Sequence, residues 1–131
     1  MNSPAPQSAG LTTRENQVLE LIGRGLRELG VDVRGRRVFL KPNIVEYEED
    51  TVINTHPLVV AGAALAFRSA GAASVVIGEG PGHRRDMEYL LTATGLYDYL
   101  REYDLKFVDL NHDDVRYVPL QSRFTKLDQI A

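Results

Sequence analysis

Three short apolar runs do most to limit what this chain can fold into. They cover residues 38–40, 75–77 and 107–110, each ends at a polar or glycine-rich turn, and segments with helical spacing separate them. This alternation predicts a βαβαβ unit, that is, a three-layer α/β domain with a mostly parallel, Rossmann-like sheet and flanking helices. Open parallel sheets bind ligands beyond the carboxyl ends of their strands. The sequence therefore predicts the place of a site and leaves its reaction, and whether the protein is an enzyme, open.

Bulk properties narrow the classes of partner. The 131 residues are enough for one domain, and the formal charge of −3 provides no basic field for nucleic acid or anionic lipid. No apolar run approaches the roughly 20 residues that span a bilayer, and no leader pattern opens the chain. We therefore predict a cytoplasmic protein without nucleic-acid or membrane partners. Because the chain has no cysteine, it offers no thiolates for an iron–sulfur cluster or a zinc site.

Caps and breakers delimit the elements. Residues 1–11 are rich in Pro, Ser and Gln and predict a disordered tail, which leaves 12–131 for the α/β domain. Helices are predicted over 12–30, 57–71, 86–94 and 96–103, with Thr55 or His56 as the cap of the second. Gly23 and Gly25 predict close packing of the first helix against a neighbour. Residues 115–120 predict a further extended segment.

Polar residues follow each predicted strand and should converge at one edge of the sheet. In the ligand-binding hypothesis Lys41 supplies charge, Asn43 and Asn111 orient the ligand, and Glu79 acts as a base or metal ligand. The full set of candidate ligand-binding residues is Lys41, Asn43, His56, Glu79, Gly80, Gly82, His83, Arg84 and Asn111. We expect a small anionic ligand, over which His83 or Arg84 closes.

Each candidate has a plainer interpretation. Lys41 is equally understood as a solvated strand-end lysine paired with Glu79, and the glycine-rich turn at 78–82 as a tight connection, since it matches no phosphate-binding fingerprint. The acidic loop at 44–55 is either a binding loop or a solvated excursion. A metal ion is a further candidate ligand, and its possible ligating residues are Glu79, His56, His83 and His112. Their spacing is not diagnostic, so we assign no metal ligand, and binding of a metal in place of the anionic ligand stays open.

Five separated motifs in one order resemble the domain of unknown function 362 family. They lie at 38–43, 55–57, 76–82, 94–96 and 108–111, so that the resemblance covers nearly everything after residue 12. It implies an α/β protein without an assigned biochemical role, some of whose relatives carry ferredoxin-like iron–sulfur modules. Relatives continue into another strand and a proline- and lysine-rich motif. We therefore expect the amino-terminal part of a larger family domain, incomplete at its carboxyl end.

A non-catalytic role is the rival hypothesis. In it, the same edge of the sheet binds a partner chain, a second copy or the missing carboxyl-terminal segment, and the open sheet edges favour such assembly. The shape of the edge discriminates between the two. A deep pocket lined by Lys41 and Glu79 would favour chemistry, and an open rim would favour assembly.

Overall fold

The computed structural model of the chain describes residues 10–83, 85–119 and 129–130. Within them the elements follow in the order α1 (Thr13–Glu28), β1 (Arg37–Leu40), α2 (Pro57–Ser69), β2 (Ser74–Glu79), α3 (Met87–Ala93), α4 (Leu96–Glu102), β3 (Lys106–Asp109), β4 (Val118–Pro119) and β5 (Gln129–Ile130). Residues 1–9 of the predicted tail lie outside this description. None of the helices described is long and apolar enough to cross a membrane.

The main sheet has three strands in the order β1–β2–β3, and both neighbouring pairs are parallel. Leu40 lies beside Ile77, and Ile77 lies beside Phe107, so the apolar runs are in register. The α/β class with a parallel, Rossmann-like sheet and flanking helices is confirmed. Separately, β4 pairs with β5 antiparallel, and β4 lies within the extended segment predicted at 115–120.

Local signals fix the helix boundaries. The Thr12 hydroxyl accepts a hydrogen bond from the Glu15 amide, and the Glu15 carboxylate accepts one from the Thr12 amide, which forms the predicted capping box. At α2 the His56 Nδ1 accepts from the Leu58 amide, so His56 and not Thr55 is the cap. Gly95, at φ +78°, separates α3 from α4. These boundaries match the predicted ones to within two residues.

The core lies on one face of the sheet. Right-handed crossovers along a β1–β2–β3 order place α2, α3 and α4 on the same side, where they cover Val75 and Ile77. The buried apolar cluster there consists of Ile44, Val60, Ala61, Ala64, Val75, Ile77, Met87, Leu90, Leu91, Leu96, Leu100 and Leu105. The short side chains of α2 allow this close approach of helix to sheet.

The packing prediction for the glycines of α1 was wrong. A Cβ on Gly25 would meet nothing within 4 Å, and one on Gly23 would meet only Arg27 of its own helix. The close contact falls instead on α2, where a Cβ on Gly62 would lie 2.4 Å from Cγ1 of Val18. The two glycines in α1 suggested a close contact on that helix, but the glycine at the contact between the helices belongs to α2.

The opposite face of the sheet is left open by the described elements, so of the three predicted layers the described residues form the sheet and one helical layer. Phe39 is 52% exposed, and its ring lies across Gly78, where a Cβ would come within 2.5 Å of it. Val76 and Val108 share this face with Phe39 because residues at paired positions of neighbouring strands point the same way. We call these residues the open sheet face.

Candidate ligand-binding edge of the sheet

Lys41 and Glu79 meet at the carboxyl ends of β1 and β2. The Lys41 Nζ lies 2.9 Å from Glu79 Oε2, and the side chains are 59% and 6% exposed, respectively. Glu79 also accepts hydrogen bonds from the Ile44 amide at 3.3 Å and from the Gly80 amide at 2.9 Å. The buried carboxylate thus joins the end of β1, the loop after it and the turn after β2.

These contacts decide the protonation of Glu79. Burial alone would raise the pKa of the carboxyl, but the hydrogen bond from Lys41 and those from the Gly80 and Ile44 amides outweigh it and hold the pKa below its ordinary value. Both carboxylate oxygens are occupied by donors of the protein. Glu79 is therefore a weak proton acceptor whose observed contacts serve to fix Lys41.

Asn43 lies at the same edge and holds the following loop. Its side-chain amide donates to the Ile53 carbonyl, while its backbone amide donates to the Thr55 hydroxyl and its carbonyl accepts from the Thr55 amide. Asn54 closes the loop further by bonding the backbone of Val45 and Glu46. The acidic segment after β1 is thus tied at its base.

His56 and His83 have different environments in the structure. His56 uses Nδ1 to cap α2, so that only its other ring nitrogen is available to a ligand. His83 is exposed and has a φ of +57°, a left-handed conformation that non-glycine residues seldom adopt. Arg84 lies outside the described residues. Its neighbour Arg85 forms an ion pair with Glu46 at 2.8 Å, which joins the acidic loop to the segment before α3.

The glycine-rich turn after β2 packs against the turn after β3. The Asn111 side-chain amide donates to the Pro81 carbonyl at 2.8 Å, and a Cβ on Gly80 would lie 2.8 Å from the Asn111 Oδ1. Glycine is therefore needed at position 80 for space. Around Gly82 there is no such crowding, and the residue is exposed.

The structure adds a pair that the sequence-based site left out. Asp109 Oδ2 lies 2.7 Å from Nδ1 of His112, and Asp109 Oδ1 accepts the Asn111 amide at 2.9 Å. Because Asp109 is the register partner of Glu79, the two acid-centred pairs lie side by side on neighbouring strands. The Asp-x-x-His spacing directly after an apolar run was the signal that could have revealed this pair.

The rim around Lys41 is open, since the lysine side chain is 59% exposed, and this is the shape that favours assembly over a pocket for chemistry. A cavity of about 1040 Å³ lies between α1, the segment leading into β1 and the end of α2, and a second of about 600 Å³ lies along α1. Neither is lined by Lys41 or Glu79. Over residues 10–83 and 85–119, no three histidine or acidic side chains gather closely enough to hold a metal ion.

Comparison with known proteins identifies the family. Residues 38–131 match the model of the family described as Domain of unknown function (DUF362). The chain belongs to this family. The match begins at β1 and leaves out α1, whereas all residues of the edge described above fall within it. A search of curated proteins and a search of solved structures each found no match.

Proposed function

We propose that this family member binds a small anionic molecule at the carboxyl edge of its sheet, with the Lys41 ammonium as the charged donor. The observation that carries the proposal is the asymmetry of the Lys41–Glu79 pair, in which the acid is buried and the lysine is 59% exposed. A buried carboxylate with three donors fixes one end of the lysine. The ammonium is thus held in place while water and solutes can still reach it.

The hydrogen-bond inventory of Lys41 leaves room for a ligand. An ammonium group has three N–H donors. Glu79 accepts one of them, and within the described ranges no second acceptor is bonded to Nζ. The remaining donors suit a carboxylate or phosphate oxygen, since charge-assisted bonds of this type are the stronger ones in proteins.

Neighbouring charges limit what the edge can take. The Glu79 charge is balanced by Lys41, Asp109 carries a second negative charge beside it, and the Arg85 charge is already paired with Glu46. A ligand with several anionic groups would be repelled by these neighbouring charges. A molecule with one carboxylate or phosphate group fits best, with Asn43, His56, Gly80, Gly82, His83, Arg84 and Asn111 as its proposed surroundings.

Titration calorimetry at low ionic strength tests the proposal, with inorganic phosphate and acetate as probes. Lys41→Met should lower the affinity roughly fivefold or more, the equivalent of one partly exposed charged hydrogen bond. Lys106→Met is the matched control, because Lys106 is an exposed lysine at the amino end of β3, on the opposite edge of the sheet. Equal affinities for the two variants would refute the role of Lys41.

Loss of binding by Lys41→Met would also follow if that variant did not fold, so a second measurement uses the unaltered protein. The unaltered protein is therefore also titrated with phosphate while its backbone amide NMR signals are recorded. The signals of the non-proline residues within 41–44, 79–83 and 109–112 should move together. Movement confined to other parts of the chain, or no movement at all, would contradict a site at this edge.

Self-association is the second candidate function, and the open sheet face favours it. Phe39 is half exposed beside Val76 and Val108, and β1 and β3 are both outer strands of the three-stranded sheet. A contiguous exposed apolar patch is uncommon in monomeric proteins, and an outer strand with unpaired backbone groups can pair with another chain. We propose a second copy of the chain as the occupant, since one apolar patch can complement itself across a two-fold axis.

Sedimentation over a range of protein concentrations tests this second candidate. The unaltered chain should dimerise with rising concentration, and Phe39→Lys should remain a monomer. Leu29→Lys, at an exposed leucine beyond the end of α1, serves as the control and should dimerise like the unaltered chain. A monomer at every concentration would refute the candidate.

A further inference from the structure

The Asp109–His112 pair places an oriented imidazole beside the Lys41–Glu79 pair. Asp109 and Glu79 are partners in the β2–β3 register, and neighbouring strands lie about 4.8 Å apart. The turns that follow are bound to each other as well, because the Leu110 amide donates to the Glu79 carbonyl at 3.0 Å. The Lys41–Glu79 pair and the Asp109–His112 pair therefore lie at the same edge of the sheet.

The tautomer of His112 follows from its partner. A carboxylate has no proton to donate at neutral pH, so Nδ1, at 2.7 Å from Asp109 Oδ2, must carry the hydrogen. Nε2 of the neutral ring is then a hydrogen-bond acceptor. The second oxygen of Asp109 accepts the Asn111 amide, which holds the carboxylate and hence the ring in one orientation. His112 is 80% exposed, so Nε2 is open to a ligand.

We infer that the rim recognises a hydroxylated anion, with Lys41 bonding its charged group and Nε2 of His112 accepting a hydrogen bond from its hydroxyl group. This inference rests on the proposed anion site and adds the ligand class, namely a small molecule whose hydroxyl lies within a few bonds of a carboxylate or phosphate. Asp109 acts as a positioning residue. In the neutral ring it holds the hydrogen on Nδ1 and so leaves Nε2 of His112 as the acceptor.

Pairs of ligands that differ in a hydroxyl group separate the contribution of Lys41 to the affinity from that of His112. At mildly alkaline pH, where imidazole side chains are neutral, calorimetry is run with lactate against propionate and with glycerol phosphate against propyl phosphate. The hydroxylated member of each pair should bind roughly threefold to tenfold more tightly, the equivalent of one neutral hydrogen bond. Lys41→Met should weaken all four ligands alike.

Variants at the pair give the decisive contrast. His112→Phe should bind both members of a pair with the affinity that the unaltered protein has for the ligand without the hydroxyl. Asp109→Asn should lose the same preference, whereas Asp113→Asn should keep it, because Asp113 is an exposed aspartate one residue beyond His112 with the same change in charge. In nitrogen-15 NMR spectra the His112 proton should be on Nδ1, and Asp109→Asn should shift the tautomer population towards Nε2.

The outcomes keep the two proposals apart. Equal binding of both members of each pair by the unaltered protein would overturn the hydroxyl inference and leave the anion site standing. A proton found on Nε2 would overturn it as well. If none of the four ligands binds, the anion site fails and the hydroxyl inference fails with it.

Discussion

Replacing Glu79 with glutamine should destabilise the domain far more than removing its lysine partner. Glutamine has nearly the same side-chain volume as glutamate, but an NH2 group replaces one of the two carboxylate oxygens. That NH2 group then faces a hydrogen-bond donor instead of accepting from it. Lys41 and the buried Ile44 amide donate to one carboxylate oxygen, and the Gly80 amide donates to the other, so either orientation of the glutamine amide leaves a backbone N–H without its acceptor. Loss of the charged hydrogen bond and of that pairing amounts to about 3–5 kcal/mol.

Lys41→Met removes less, since the ammonium is 59% exposed and screened by water. The carboxylate keeps its bonds to the Ile44 and Gly80 amides, and the expected cost is about 1 kcal/mol. Urea unfolding followed by circular dichroism at neutral pH measures both values. Glu20→Gln, at an exposed position on α1, is the control and should change the free energy of unfolding by about 0.5 kcal/mol or less.

The pH dependence provides the refutation. The folded-state pKa of Glu79 lies below the ordinary carboxyl value, so its contribution is present in full above the unfolded pKa of about 4.3 and is lost as pH falls through the folded pKa. The difference between the unaltered protein and Glu79→Gln should therefore shrink below about pH 4. A difference that does not change with pH, or a Glu79→Gln cost no larger than that of Lys41→Met, would refute the reasoning.

Three further predictions concern packing and hydrogen bonds. Gly62→Ala should lower the free energy of unfolding measured in urea, because overpacking against Val18 costs about 1–3 kcal/mol and outweighs a gain of about 1 kcal/mol in helix propensity. In a Val18→Ala background, where the space is free, the same change should stabilise the protein. Tyr103→Phe should cost about 1.5 kcal/mol at neutral pH by deleting the hydroxyl that donates to Glu15 at 2.6 Å. Burial opposes ionisation of Glu15, but that hydroxyl and the Thr12 donors lower its pKa, so the Tyr103→Phe cost should fade only in acid. Gly80→Ala should displace the turn after β3, visible as shifts of the amide NMR signals of 109–112, since the new Cβ meets an asparagine of that turn.

Local signals explain why the elements could be predicted from sequence. The capping box at Thr12, the proline after His56 and the glycine at 95 each act within a few residues, and all three boundaries are confirmed. Strand direction followed from the helices between the strands, because a helical crossover of a dozen or more residues returns the chain so that the next strand pairs parallel. The same rules do not say what covers the second face of a sheet. The sequence therefore did not distinguish Phe39 from the other strand residues, although its side chain lies on the open sheet face.

Contacts between distant residues explain what the sequence left out. Lys41 and Glu79 are 38 residues apart, and their pairing was only one of two interpretations of the lysine. No pattern within α1 or α2 could reveal that Gly62, rather than Gly23 or Gly25, would face a bulky side chain. The Asp109–His112 pair is different, since it spans three residues and its spacing was visible in the sequence.

Strand register connects the core of this domain to its candidate site. Ile77 and Phe107 are register partners in the core. Two residues further along each strand, and on the same face of the sheet, Glu79 lies beside Asp109. A slip of one residue in either strand would turn the carboxylate of that strand to the open sheet face and separate Glu79 from Asp109. The apolar contacts that set the register therefore also set the spacing between the ammonium of Lys41 and the imidazole of His112. A ligand that bridges the two groups would bind a geometry that the core, rather than the exposed side chains, holds constant.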